Sequence, residues 1–305
     1  MESYLDPLAS VLSCISLPAI IFVSVIIYRT TPAAMKHYKD FLLNIMAWNF
    51  LNDVMLLVVR PSGVDSSMCL KIHGLILNQY SILVLVLAKM NLSCSLSILF
   101  QYKLYALTFK KVTSKWLWIY PLVFHILFSG LTILFLTHWN LDPTGYLCPN
   151  SSYNHKLTFL GLLSLTAILN LILLVCVFLS FTKMAFESKA KCHKNTSQLR
   201  KQLVNNILSL SGIPVFLSGI PTIFLLLGLY YKHSLAVHLG TFVLSTHGLI
   251  FGMVTIVVFK KYRQAVYHLY LRARRKPIPE EKSLWTVNAR KRIIMSALRR
   301  NAWEK

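Results

Sequence analysis

The chain has 305 residues, of which 55% are hydrophobic and only 14% charged, where a soluble domain carries about a quarter. Its mean hydropathy is +0.57, and a formal net charge of +22 comes from 32 Lys and Arg against 10 Asp and Glu. These values exclude an ordinary soluble domain, and with no basic stripe standing apart from the apolar runs they also argue against nucleic acid as a partner.

Seven apolar segments of membrane-crossing length lie near 8–28, 41–59, 72–100, 117–137, 158–182, 204–230 and 235–259. They predict an all-α membrane protein, a seven-transmembrane helix bundle. The first segment follows Glu2 and Asp6 rather than a basic region and is too long for a signal-peptide core, so it reads as a retained span. With the N-terminus outside, the inner segments 29–40, 101–116, 183–203 and 260–305 carry 27 of the 32 Lys and Arg. Cationic residues are retained on the cytoplasmic side, so this asymmetry fixes the expected orientation.

Along the chain, ionisable residues inside spans come first. Asp53 lies 12 residues beyond Phe41, and Lys89 lies 12 residues before Gln101. Both therefore sit roughly 18 Å from the inner boundary, where an intramembrane ion pair is expected. Two roles stay open for it: a structural pair that sets helix register, or a switch or polar ligand anchor.

Cys69 stands at the outer start of span three and Cys148 in the outer loop after span four, in an oxidising compartment. A disulfide there would tether the loop across the mouth of the bundle; the other reading is two unpaired thiols. Cys14, Cys94, Cys176 and Cys192 are expected to be free. Asn150-Ser-Ser offers an outer glycosylation site, whereas the Asn91 and Asn195 sequons fall in a span and an inner loop.

Span six carries Pro214 and Pro221, each of which removes a helical hydrogen bond and invites a kink. After span seven, KKYRQAVYHLYLRARRK places Tyr262, Val266, Leu269 and Tyr270 at helical spacing among basic residues. This predicts a helix over about 260–275 lying on anionic inner-leaflet lipid. A basic tail, 276–305, follows the 1–275 membrane domain. Hydrolase, metalloprotease and phosphate-loop motifs are missing and no histidines share a ligand spacing, so neither an enzyme nor a metal or cofactor is expected.

Two stretches carry a resemblance. TTPAAMKHYKDFLLNIMAWNFLND resembles the Thr-Pro-x-x-Met…Leu-Leu-Asn…Trp…Asp region of nematode serpentine chemoreceptors, class H foremost, with classes I and D related. STHGLIFGMVTIVVFKKYRQAV is similar to their His-Gly motif in span seven and the closing Pro-Tyr-Arg, with Lys261 in place of the proline. The resemblance covers the chain to about residue 275. A second departure is at the inner end of span three. Phe100, Gln101, Tyr102 and Lys103 stand where the family tends to have Phe-Glu-Asn-Arg, so an acid–Arg lock is not expected.

The resemblance implies a G-protein-coupled chemoreceptor of the plasma membrane, displayed on sensory neuron endings. Its partners would be a small apolar, odorant-like ligand and a heterotrimeric G protein. Depth in the membrane selects Asn78, Tyr80, Trp139, Tyr230 and His238 as pocket candidates. Gln101, Lys103, Lys110, Lys111, Arg200, Lys201 and Arg263 are the residues expected near the G protein. The alternative class is a channel or transporter, which would need ionisable residues along several spans or broken helices in two matching halves. Neither feature is visible.

Overall fold

Among the described residues, six helices are long and apolar enough to cross a membrane: α1 (Glu2–Thr30), α2 (Lys36–Val59), α3 (Gln79–Thr108), α4 (Ser114–Leu136), α5 (His155–Lys189) and α7 (Ser234–Val258). Hydrocarbon offers the backbone no partners, and a helix satisfies its own hydrogen bonds. The structure of the protein, a computed structural model, describes residues 2–31, 36–63, 69–74, 79–108, 114–137, 139–142, 144–149, 155–189 and 215–274. Span six enters that range at a π-helical turn, Val215–Gly219, which runs into α6 (Ile220–Tyr230). Pro221 has no N–H to give and its ring crowds the carbonyl four residues back, so the wider turn just before it relieves both problems. Pro214 lies outside the described residues.

α1 packs on α2 and α7, α2 on α3, α3 on α4 and α5, and α6 on α5 and α7. Together these elements form a seven-helix transmembrane bundle. α3 runs through its middle and is buried over most of its length, whereas α4 lies at the rim, with Leu122 and Ile126 exposed one turn apart. Such a stripe faces lipid in a membrane helix.

A four-stranded antiparallel sheet, which the apolar segments do not predict, covers one end. β1 (Pro61–Gly63), β2 (Leu70–Ile72), β3 (Trp139–Leu141) and β4 (Tyr146–Pro149) lie in the order β1-β2-β4-β3. The start of span three is corrected with it. Residues 70–72 are strand rather than helix, and α3 is described from Gln79 onward. At Gly74 the chain runs so close to the carbonyls of Val58 and Val59 that any Cβ would collide with them, and His73 N donates to Arg60 O at 3.2 Å. Backbone pairing with the end of α2 therefore wins over continuing the helix.

The chain divides into two compact units, Met1–Arg263 and Gln264–Lys305. The boundary falls within α8 (Lys260–Ala273). In the second unit Leu269 and Tyr270 are exposed, and Arg274 lies over the Tyr270 ring at 4.7 Å.

Candidate functional site

Beneath the sheet the helices leave a cavity of about 140 Å³. Sheet residues Leu70, Ile72, Trp139 and Leu147 roof it, and leucines of α3, α5, α6 and α7 wall it. Cys69 and Cys148 are bonded at 2.03 Å, joining the chain just before β2 to β4 and so holding the roof covalently. Trp139 is 6% exposed, its ring 5.3 Å from that of Phe159 in a T-shaped contact.

Polar residues enter this lining sparingly. Thr166, Thr222 and Thr241 line it, but each hydroxyl donates to a carbonyl four residues back, at 2.9, 2.6 and 2.9 Å. Asn52 lines it too and donates to Asp53 Oδ1 at 3.2 Å. Lys89, about 15 Å along α3 from Gln79, lines it too, and its ammonium nitrogen is buried and without a hydrogen-bond partner among the described residues.

Around Lys89 lies a buried polar core shared by α1, α2, α3 and α7. Asp53 and Lys89 act on one another electrostatically, as do Lys89 and His247. The expected Asp53–Lys89 pair does not close into a hydrogen bond: among the described residues Lys89 Nζ has no hydrogen-bond partner. Equal depth brought the two side chains into one region, while Asn52 took one carboxylate oxygen. His247 Nδ1 lies 2.8 Å from Asn49 Oδ1. An amide oxygen only accepts, so Nδ1 carries the proton and donates. Gly248 supplies room. A Cβ there would lie 2.7 Å from Asp53 Oδ2 and 3.0 Å from Ser16 Oγ. The His-Gly pair of the family motif thus joins α7 to α2 and lets α1 and α2 approach.

A second polar knot joins α2, α3 and α4. Asn44 Nδ2 donates to Ser95 Oγ at 2.8 Å, and Ser95 Oγ lies 3.3 Å from His125 Nε2. His125 Nδ1 lies 2.6 Å from Asn91 Oδ1, while Asn91 Nδ2 donates to Ser129 Oγ at 2.9 Å. Asn91 is thereby committed within the bundle. Neither knot was foreseen beyond Asp53 and Lys89. The available signal was Asn, Ser and His recurring inside apolar runs, since such groups in hydrocarbon seek partners on neighbouring helices.

Of the pocket candidates, Trp139 lines the cavity. Tyr80 is exposed at the start of α3, and His238 is buried on α7 outside the lining. Tyr230 is half-buried, its ring 6.3 Å from Phe159 and 5.1 Å from Tyr231, also outside the lining. Asn78 and Asn150 fall outside the described residues. Depth alone assigns a residue to one end of the bundle without telling which helix face it occupies.

At the opposite end, Gln101 is engaged by α4, where the Tyr120 hydroxyl donates to its Oε1. Lys103 Nζ lies over the rings of Tyr38 at 4.9 Å and Phe100 at 5.1 Å. Tyr38 in turn packs on Phe259, and Phe259 on Tyr262, with centroids 5.7 and 5.2 Å apart. The Tyr262 and Thr31 hydroxyls share a 2.9 Å hydrogen bond, and burial raises the Tyr262 pKa, a rise this hydrogen bond opposes. Arg263 is exposed and donates to the Val257 carbonyl. This run of contacts leads from Lys103 on α3 through Tyr38 on α2 and Phe259, just past α7, to Tyr262 at the start of α8. Lys110, Lys111, Arg200 and Lys201 lie outside the described residues, as does Cys192. Cys14, Cys94 and Cys176 are free thiols. Among the described residues no cluster of metal-ligating side chains occurs.

The sequence profile of the family described as "Serpentine type 7TM GPCR chemoreceptor Srh" matches residues 2–272. Comparison with curated proteins gave no match. A match over most of the chain shows the family: the protein belongs to the Srh serpentine chemoreceptors, seven-helix G-protein-coupled receptors of the membrane. The class H resemblance read from the two motifs is the family found, and the family is not one of enzymes.

Proposed function

We propose that the chain is a chemosensory receptor that takes a small molecule into the cavity beneath the sheet and signals to a heterotrimeric G protein at the opposite end. The observation that carries this is the cavity itself, apolar, walled by α2 to α7 and roofed by a disulfide-held sheet. A ligand that fits one packing of those helices better than another shifts the population toward it. The π-helical turn ahead of Pro221 is where α6 would bend, since its ladder is already broken there.

Orientation supports the same reading. A disulfide persists on the oxidising side, which puts the sheet end outside, and 27 of the 32 Lys and Arg then face the cytoplasm. Residues 1–275 form the receptor, with α8 resting on anionic inner-leaflet lipid, and 276–305 its basic tail. The receptor works at the plasma membrane, on sensory endings by analogy with its family. Lys103, Lys110, Lys111, Arg200, Lys201 and Arg263 form the basic face toward the G protein, with Gln101 beside it.

The test has two readouts. Epitope tags at Met1 and after Lys305 are stained in intact and permeabilised cells, and nucleotide exchange on a G protein is followed while small molecules are applied. An outside N-terminus, an inside C-terminus and ligand-dependent exchange are expected. Two inside tags would give an even number of spans and remove the receptor reading in favour of a channel or transporter.

A further inference from the structure

The cavity is specific about hydrogen bonding. Its three threonine hydroxyls are spent on helix carbonyls and Asn52 on Asp53. Among the described residues, two that line the cavity keep a buried N–H donor with no hydrogen-bond partner: Lys89 at Nζ and Trp139 at Nε1. Lys89 is only 9% and Trp139 only 6% exposed, so bulk water is not at hand to satisfy them. A buried donor without an acceptor is costly, and more so for a charged group. A ligand that brings an acceptor recovers that cost, and a hydrocarbon does not.

Charge narrows the class. Asp53 is within electrostatic reach of Lys89 and opposite in sign. As ions, or as the neutral amine and acid, the two sum to zero, and in either form Lys89 keeps an N–H to donate. A carboxylate ligand would add an uncompensated negative charge beside Asp53 in an apolar enclosure, where burying unpaired charge is costly. A neutral carbonyl oxygen satisfies the donor without that penalty. Size narrows it further. The volume of about 140 Å³ is close to that of engineered apolar cavities of about 150 Å³ that take up benzene.

We infer that the cavity selects small, mostly apolar molecules bearing a neutral hydrogen-bond acceptor, such as a ketone, aldehyde or ester, and that Lys89 and Trp139 are the donors that recognise it. This deepens the proposed receptor function and rests on it for the signalling that follows binding, not for the binding itself.

Three probes of nearly one shape separate the terms. Acetophenone carries the carbonyl, α-methylstyrene replaces its oxygen with a methylene group, and benzoate replaces its methyl group with a charged oxygen. Each is titrated against the full-length receptor in lipid nanodiscs, with the melting temperature as readout. Half-saturation by acetophenone is expected at about a tenfold lower concentration than by α-methylstyrene, the worth of one hydrogen bond to a charged donor. Benzoate is expected to be the weakest. Lys89→Met should abolish the preference for ketone over hydrocarbon, and Trp139→Phe should reduce it. Lys89→Met is also made with Asp53→Asn, so that a neutral, folded core is in hand if the single change unfolds the bundle. Equal binding of ketone and hydrocarbon, a preference surviving both donor substitutions, tightest binding by benzoate, or no stabilisation by any probe would each overturn the inference. G-protein nucleotide exchange is scored separately. Ketone binding that depends on Lys89 but evokes no exchange would defeat the receptor function and leave this inference standing.

Discussion

His247 and Asn49, 198 residues apart, share a 2.8 Å hydrogen bond that fixes the imidazole tautomer and joins α7 to α2. Both side chains are fully enclosed, at 1% and 0% exposure. Removing one leaves the other's polar atom unsatisfied in the bundle. Asn49→Ala and His247→Ala are each expected to cost about 1–3 kcal/mol. A double-mutant cycle on purified receptor should show that the two costs do not add; strict additivity would mean that the bond contributes nothing.

Gly248 answers a different need, close approach. Its absent side chain leaves the space into which Asp53, Ser16 and Ile20 reach. Gly248→Ala must push those groups aside, with an overpacking cost of about 1–3 kcal/mol. A lowered melting temperature checks this, and an unchanged one would show that α1 yields freely.

Lys103 holds α3 to α2 through the Tyr38 ring rather than through a carboxylate. A cation over an aromatic face is worth about 0.5–2 kcal/mol. Tyr38→Leu should therefore raise basal nucleotide exchange while Tyr38→Phe leaves it near wild type, because the ring and not the hydroxyl meets the ammonium. Equal effects of the two changes would point to the hydroxyl instead.

Tyr262 gives a pH dependence with a definite sign. Burial raises its pKa in the folded receptor, so the native state holds the phenolic proton more tightly than the unfolded chain does. That stability is fully present below the unfolded value of about 10 and is lost as pH rises through the folded one. Melting temperatures taken across the alkaline range should fall more steeply for wild type than for Tyr262→Phe. At neutral pH the Phe variant should lose about 1 kcal/mol with the hydrogen bond to Thr31.

The Cys69–Cys148 bond closes a loop between residues 79 apart in sequence. Replacing both cysteines by serine is expected to lower stability by about 2–4 kcal/mol and to weaken acetophenone binding, because the roof of the cavity loses its tether. Unchanged melting and binding would show that strand pairing alone holds the sheet.

Much of the bundle was legible because apolar runs of membrane length leave few options, and Asp53 and Lys89 stood out against them. The sheet was not. Its strands of three or four residues show no alternation, and β2 meets β4 only because the chain returns after α3 and α4. The partners of Asn91, Ser95 and Lys103 were hidden for the same reason. A residue's depth follows from counting, but the face it turns to a neighbour depends on which helices adjoin, and segments apolar on every side carry little rotational signal. Depth gives Trp139, Tyr80 and Tyr230 a level but no facing: Trp139 lines the cavity that Lys89 lines, whereas Tyr80 and Tyr230 lie outside its lining.

The disulfide also gives the molecule a topology. Everything from Cys69 to Cys148 belongs to one covalent ring, which contains α3, α4 and β3 and therefore both Lys89 and Trp139. A single cut anywhere within that ring leaves the polypeptide in one piece until it is reduced. The ring gathers both candidate ligand donors and the cavity roof between them, while α2, α5, α6 and α7, which complete the wall, stand outside it.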